Sequence, residues 1–318
     1  MQFTTPIPIQ KSNFQIDYSS RIVSLGSCFA VNIGEKFQYF KFQNTINPFG
    51  ILFHPLALEK IISKAILREE FTEEDIFFHN ERWHSFDVHS DLSVSDKEDS
   101  LKRLNSNLKS FRNDLAESSH VIITLGTSWV YRKIETNKVV ANCHKVPQNQ
   151  FRKQLLSVGD IKNSLEKIIA LISKANPKAK IIFTISPVRH IKDGFVENQW
   201  SKANLISAVH SVVSIPPLGV RGLYFPSYEI MMDELRDYRF YAEDMIHPSQ
   251  TAIDYIWKKF SETWISEEAI STLQEIESIQ KGLNHRPFNE KSEQHLLFLK
   301  KLKQRISVLE RQFPFIKF

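Results

Sequence analysis

Arg21-Ile22-Val23-Ser24-Leu25-Gly26 and the Ser27-Cys28-Phe29-Ala30-Val31-Asn32-Ile33-Gly34-Glu35-Lys36-Phe37 that follows decide the fold. The first piece is a short apolar, β-favouring run that stops at a glycine. The second puts Phe29, Ile33 and Phe37 at i, i+4 and i+8, the spacing of one helical face. The unit reads as strand, tight turn, helix, with Ser27 standing where an N-cap belongs.

The same grammar recurs along the chain. His120-Val121-Ile122-Ile123-Thr124-Leu125 ends at Gly126, Ala179 to Ile185 ends at Ser186-Pro187, and Gly222 to Phe225 reads as a fourth strand. Helices are expected over His54–Leu67, Leu101–Leu115, Ile161–Ser173, Ser201–Val213 and Thr251–Trp264, each with an apolar stripe. Strands that alternate with helices imply a mostly parallel sheet, hence an α/β domain. Ile76–Val88 and Trp129–Ala141 read as hairpins, and Asn47-Pro48-Phe49-Gly50 as a turn. From Ser266 onward the pattern is helical only, so residues 1–265 are taken as the α/β domain and 266–318 as a C-terminal helical extension. Leu296, Leu299, Leu302, Ile306 and Leu309 form a stripe for packing on the domain or on a partner, a homo-oligomer among them, rather than a membrane-surface helix.

Composition narrows the partners. In 318 residues, 42% hydrophobic and 24% charged side chains describe an ordinary globular chain. The 24 phenylalanines fit a large aromatic core. A formal charge of +5 without a recognition motif is weak support for nucleic acid, which is not expected as a partner. No run approaches the roughly 20 apolar residues of a membrane helix, and the first residues lack a leader pattern, so a cytoplasmic protein is expected. The two cysteines, Cys28 and Cys143, make neither a disulfide framework nor a zinc spacing. No cofactor is expected. No metal is expected either, with His54, His79, His84 and His89 read as packing or surface histidines.

Ligands of open α/β sheets bind beyond the carboxyl ends of the strands. That rule gathers Gly26-Ser27-Cys28, Gly126-Thr127-Ser128 and Ser186-Pro187-Val188-Arg189-His190 at one edge. A hydroxyl and a thiol at the start of a helix meet unpaired N–H groups and the positive end of the dipole, a setting for an activated nucleophile if a base is near. Asp244-Met245-Ile246-His247-Pro248-Ser249 supplies a base: three residues apart, a carboxylate reaches the imidazole and fixes its tautomer. The chain order nucleophile, Asp, His is a known triad order. The plainer alternatives are a capping Ser27, a small buried Cys28 and a loop Asp244 that caps the following helix.

Gly26-Ser27-Cys28-Phe29-Ala30 resembles the name-giving motif of the GSCFA family, related to the SGNH/GDSL hydrolases, over roughly residues 20–265. Asp244-x-x-His247-Pro248 resembles the SGNH Asp-x-x-His block. The resemblance implies a flavodoxin-like three-layer α/β/α sandwich and a bacterial ester hydrolase or acyltransferase, with an acylated carbohydrate among its ester substrates. Carried over residue by residue, it sets Cys28 on the nucleophile, Ser27 being the choice after a one-residue shift. His247 then falls on the base and Asp244 on its orienting acid. Gly50, Thr127 and Ser128 fall on the oxyanion-hole blocks, with Ser128 where asparagine is expected. Asn142, His144, Arg189 and His190 lie in segments similar to those of the GSCFA family and are expected to line the substrate pocket, Arg189 through its planar fork. The competing expectation is a non-catalytic module that binds a glycan or an anionic small molecule on the same fold.

Overall fold

The computed structural model of the protein describes residues 5–213 and 222–318. The N-terminal stretch read for a leader begins in residues 1–4, outside the described residues.

Strands β1 (Arg21–Gly26), β2 (Gln43–Ile46), β5 (His120–Leu125), β9 (Lys180–Ile185) and β10 (Gly222–Phe225) form one sheet in the order β10-β9-β5-β1-β2. Every neighbouring pair is parallel. Numbered within the sheet, the order is 2-1-3-4-5, that of flavodoxin-like doubly wound folds, with the switch point between β1 and β5. Between and after these strands run α1 (Cys28–Tyr39), α2 (Pro55–Leu67), α3 (Lys97–Glu117), α4 (Val158–Ala175), α5 (Phe195–Val213), a single turn α6 (Ser227–Glu229) and α7 (Gln250–Trp264).

Alternation along the strands sorts the side chains into two layers. Val23, Leu25, Val121, Ile123, Ile181 and Phe183 face α2, α3, α4 and α5, where Ile62, Phe111, Leu165 and Leu205 are fully buried. Ile22, Ile122 and Ile182 face α1 and α7, where Phe37 meets Trp257 and Phe260 edge-on at 5.0 and 5.7 Å. Each such burial contributes about 1.5–3 kcal/mol. The result is the three-layer α/β/α sandwich expected of the sequence.

The C-terminal helices α8 (Glu267–Leu283) and α9 (Glu293–Gln312) join the second layer through Ile276, Ile279, Leu302 and Leu309. Arg305 clamps them by donating to both carboxylate oxygens of Glu275, at 2.7 and 2.8 Å. Of the predicted stripe, Leu296 stays exposed. Among the described residues no helix is long and apolar enough to cross a membrane.

Two small sheets decorate the first layer: β3 (Phe77–His79) with β4 (Arg82–His84), and β6 (Trp129–Lys133) between β7 (Val139–Val140) and β8 (Phe151–Leu155). The hairpins were legible in sequence, whereas β2 and β8 were not. Gln-Asn-Thr-Ile of β2 carries no apolar run and is a strand because β1 pairs with it. β8 is a strand by pairing with β6 through Phe151-Arg152-Lys153-Gln154-Leu155. α5 begins at Phe195, six residues before the predicted start, because its opening turns expose Phe195, Val196 and Trp200 and so carry no apolar stripe.

Candidate active site

The turn between β1 and α1 is built by backbone constraint. Gly26 has φ +127°, and a Cβ there would press into the Thr124 carbonyl of β5. The loop after β2 is strapped over this turn: Gly26 donates to Asn47 Oδ1 (2.8 Å), Leu52 donates to the Gly26 carbonyl (3.0 Å), and Gly126 donates to the Phe53 carbonyl (2.8 Å). The carboxyl ends of β1 and β5 are thereby fixed side by side at the switch point.

The structure separates the two nucleophile candidates. Ser27 is fully buried, and its Oγ has no hydrogen-bond partner. It occupies the N-cap position of α1 yet makes no side-chain cap, contrary to the expectation from sequence, because its side chain is turned inward against Gly126. Cys28 is only partly buried. It is the first residue of α1, where the Cys28 and Phe29 N–H groups open the helix. Burial pushes the thiol above its ordinary range, the Lys202 charge and those N–H groups oppose that, and the Asp244 carboxylate adds to it.

The Asp244–His247 pair forms as the spacing predicts. Asp244 Oδ2 lies 2.6 Å from His247 Nδ1, and Asp244 Oδ1 accepts from the Ile246 and His247 N–H groups at 2.9 and 3.0 Å. These bonds hold the carboxyl down at about 2. With the carboxylate on Nδ1, the proton sits there and Nε2 is left as the acceptor. Asp244 does not cap the following helix. Ser249 does, donating no cap bond but accepting one from the Ala252 N–H, while Pro248 bridges to Tyr241.

Arg189 serves this loop. Its guanidinium donates to the Met245 carbonyl (2.9 Å), its backbone N–H donates to the Ile246 carbonyl (3.1 Å), and it stacks between Phe195 and Tyr241. The expected substrate fork is thus engaged in holding the His247 loop. His190 is half-buried beside Phe53, its Nε2 buried and unpartnered, and burial, Lys202 and His247 together push it down to about 3. The Arg189 N–H bond to the Ile246 carbonyl brings the loop before α7 to the carboxyl end of β9, and Lys202 ties that end to the carboxyl end of β5, beside β1, by donating to the Ser186 and Gly126 carbonyls. No hydrogen bond joins the sulfur to the imidazole in this structure.

The other expected residues are engaged elsewhere. The Gly50 N–H closes the predicted turn on the Asn47 carbonyl (2.7 Å), and Gly50 lies against His89. The Thr127 N–H donates to the Phe53 carbonyl, and its hydroxyl pairs with Ser201 Oγ (3.0 Å). Ser128 is fully buried: its N–H donates to Ser201 Oγ (2.8 Å) and its hydroxyl to the Ser201 carbonyl (3.1 Å). All three donors expected of an oxyanion hole are therefore already used, because α5 and the strap loop claim them. Asn142 accepts from the His144 N–H in a tight turn, and His144 packs on His84 and Phe77 with Nε2 on the Ser85 carbonyl (2.7 Å). Those two hold the small sheets together. His84 bonds Ser93, and Asp87 pairs with Lys60.

Two residues that the sequence reading left without a role belong to the edge. Asn47 bridges to Gly26 and keeps a buried, unpartnered Nδ2. Lys202 is buried on the stripe of α5 that also holds Asn198, Leu205 and Val209. A lysine in an otherwise core-facing stripe is the signal that would have found it.

With this geometry in hand, the family comparison is decisive on kinship: the GSCFA family model matches residues 21–260. The chain belongs to the GSCFA family. A second match, to the C-terminal domain of GSCFA domain proteins, covers residues 276–318, which include the second half of α8 and all of α9. No curated protein gives a significant match to the chain. In this GSCFA chain Gly26-Ser27-Cys28-Phe29-Ala30 spans the end of β1, the turn and the start of α1, at the switch point of the sheet.

Proposed function

We propose that this GSCFA protein is an SGNH-like ester hydrolase or acyltransferase with Cys28 as nucleophile, His247 as general base and Asp244 as the acid that orients it. The observation that carries the reading is the Asp244–His247 pair, with Nε2 left free, together with a partly exposed Cys28 as the first residue of α1. His247 Nε2 takes the thiol proton as the sulfur attacks the acyl carbonyl. The N–H groups of Cys28 and Phe29 take the place of the engaged Gly50, Thr127 and Ser128 donors and receive the developing oxyanion. Collapse expels the alcohol, which takes its proton from His247, and leaves a thioester on Cys28. Water hydrolyses that thioester, or an acceptor alcohol removes the acyl group, with His247 again as base. Exposed Phe195, Tyr238 and Met245 around the stacked Arg189 offer an apolar rim for the acyl or alcohol portion.

The competing reading, binding without chemistry, draws on one observation, the engagement of those three donors. Intact-mass detection of an acyl adduct after reaction with an activated ester separates the two. The adduct is expected on Cys28, absent in Cys28→Ala and retained in Ser27→Ala. An adduct lost only in Ser27→Ala moves the nucleophile to Ser27, and labelling by neither an ester, a thiol reagent nor a fluorophosphonate leaves binding alone.

A further inference from the structure

A cleft of about 580 Å³ opens between α2 and the β6–β7 hairpin, within the size range of small-molecule sites. Cys28, Asp244 and His247 do not line it, so it is separate from the candidate active site. α2 contributes Lys60 and Lys64, and the hairpin contributes Arg132 and Lys138. The segments before β3 and after β4 add Asp75 and Asp87. Four stretches of chain thus bring charged side chains to one space.

Pairing inside the cleft leaves a definite remainder. Lys60 Nζ donates to Asp87 Oδ1 at 2.6 Å, and Lys64 Nζ lies 3.5 Å from Asp75 Oδ2, so these four charges cancel in pairs. Arg132 donates to the Asn137 carbonyl (2.7 Å) and to Gln154 Oε1 (3.2 Å), both uncharged. Among the described residues no carboxylate lies within ion-pair distance of Arg132 or Lys138. The strand pairing keeps these two cations close, since Arg132 stands opposite Val139, the neighbour of Lys138. The one further carboxylate of the lining is the exposed Glu69. Asp87 holds the other remainder. It is only 7% exposed, yet among the described residues its Oδ2 accepts no hydrogen bond. A carboxylate oxygen so placed calls for a donor from outside the chain.

We propose that this cleft binds a phosphorylated polyol such as a sugar phosphate, with Arg132 and Lys138 on the phosphate and Asp87 accepting from a hydroxyl. A phosphate monoester carries about −1.5 to −2 charges at neutral pH, which matches two uncompensated cations. The guanidinium meets it with a planar fork and the ammonium with a point charge. A bare phosphate leaves Asp87 unmet and most of the space unfilled. Ala57, Val139 and Ala141 give the C–H side of a polyol an apolar wall. The inference goes beyond the proposed acyl transfer and does not depend on it.

Isothermal titration of the full chain with glucose 6-phosphate, inorganic phosphate and glucose tests it. Glucose 6-phosphate is expected to bind with Kd at or below about 1 mM, inorganic phosphate about tenfold more weakly, and glucose without measurable heat. Arg132→Gln and Lys138→Gln each remove one charge near the surface and should each weaken glucose 6-phosphate by about tenfold, the loss of one charge-assisted hydrogen bond. Asp87→Asn, which keeps an oxygen for Lys60, should weaken glucose 6-phosphate and leave inorganic phosphate unchanged. Should that variant not fold, the gap between the two ligands in the unaltered protein reads the hydroxyl contact instead. No binding of glucose 6-phosphate at about 10 mM overturns the proposal, as does binding that both Arg132→Gln and Lys138→Gln leave unchanged. Equal affinity for glucose 6-phosphate and inorganic phosphate means an adventitious ion only and also overturns it. Binding is expected to be the same in Cys28→Ala; its loss there would move the ligand to the candidate active site and refute a separate cleft.

Discussion

Asp244→Asn separates orientation from mere presence of the histidine. In the structure, Oδ1 of Asp244 accepts two backbone N–H groups and Oδ2 faces His247 Nδ1 at 2.6 Å. An asparagine keeps its carbonyl on the two N–H groups, which fix the loop. Its amide then presents hydrogens to Nδ1. The imidazole must turn its Nδ1 lone pair to that amide, so the proton moves to Nε2 and the base loses its acceptor atom. Loss of the correct tautomer in a worked Ser-His-Asp case costs about 10⁴-fold, so a fall of about 10³–10⁴ in the rate of Cys28 acylation is expected. Because the carboxylate lies in an exposed loop, the melting temperature should stay close to that of the unaltered protein. Single-turnover acylation by an activated ester, followed by intact mass, measures the rate, and ¹⁵N chemical shifts of His247 report the tautomer. If the tautomer flips and acylation proceeds within about threefold of the unaltered rate, His247 is not the base. If the tautomer does not flip, the reasoning about the carboxylate fails instead.

Two further outcomes test the scaffold. Gly26→Ala forces a side chain into φ +127° and against the Thr124 carbonyl, so strain and overpacking together should cost about 3 kcal/mol or more, read as a lower urea midpoint. A midpoint within experimental scatter of the unaltered protein would remove the argument that the turn is sterically fixed. His54 caps α2 from a fully buried position and is depressed to about 4. The unfolded chain therefore binds the extra proton between pH 6.5 and 4, so stability falls as pH is lowered through that window, by on the order of 3 kcal/mol from this residue. His54→Asn, which keeps an oxygen for the Ala57 N–H, should flatten that part of the stability–pH curve, and an unchanged slope refutes the assignment.

What the sequence determined by itself are the features whose causes are short-range. The apolar runs ending at Gly26, Gly126 and Ser186 are strands, and their alternation with amphipathic helices leaves little choice but a parallel sheet. Asp244 meets His247 because three residues of loop suffice for the bond. Tertiary structure decided everything that depends on partners far along the chain. β2 and β8 are strands through pairing rather than composition. Ser27 and Cys28 are adjacent in sequence, yet one is turned inward on Gly126 and the other lies toward the edge, which follows from how α1 leaves the sheet. Gly50, Thr127 and Ser128 have the right donors at the right places in the chain, but Asn47, Phe53 and Ser201 reach them first. A sequence states which groups can donate. Only the packed chain determines which of them are still free to do so, because each buried donor must take a partner wherever folding brings one.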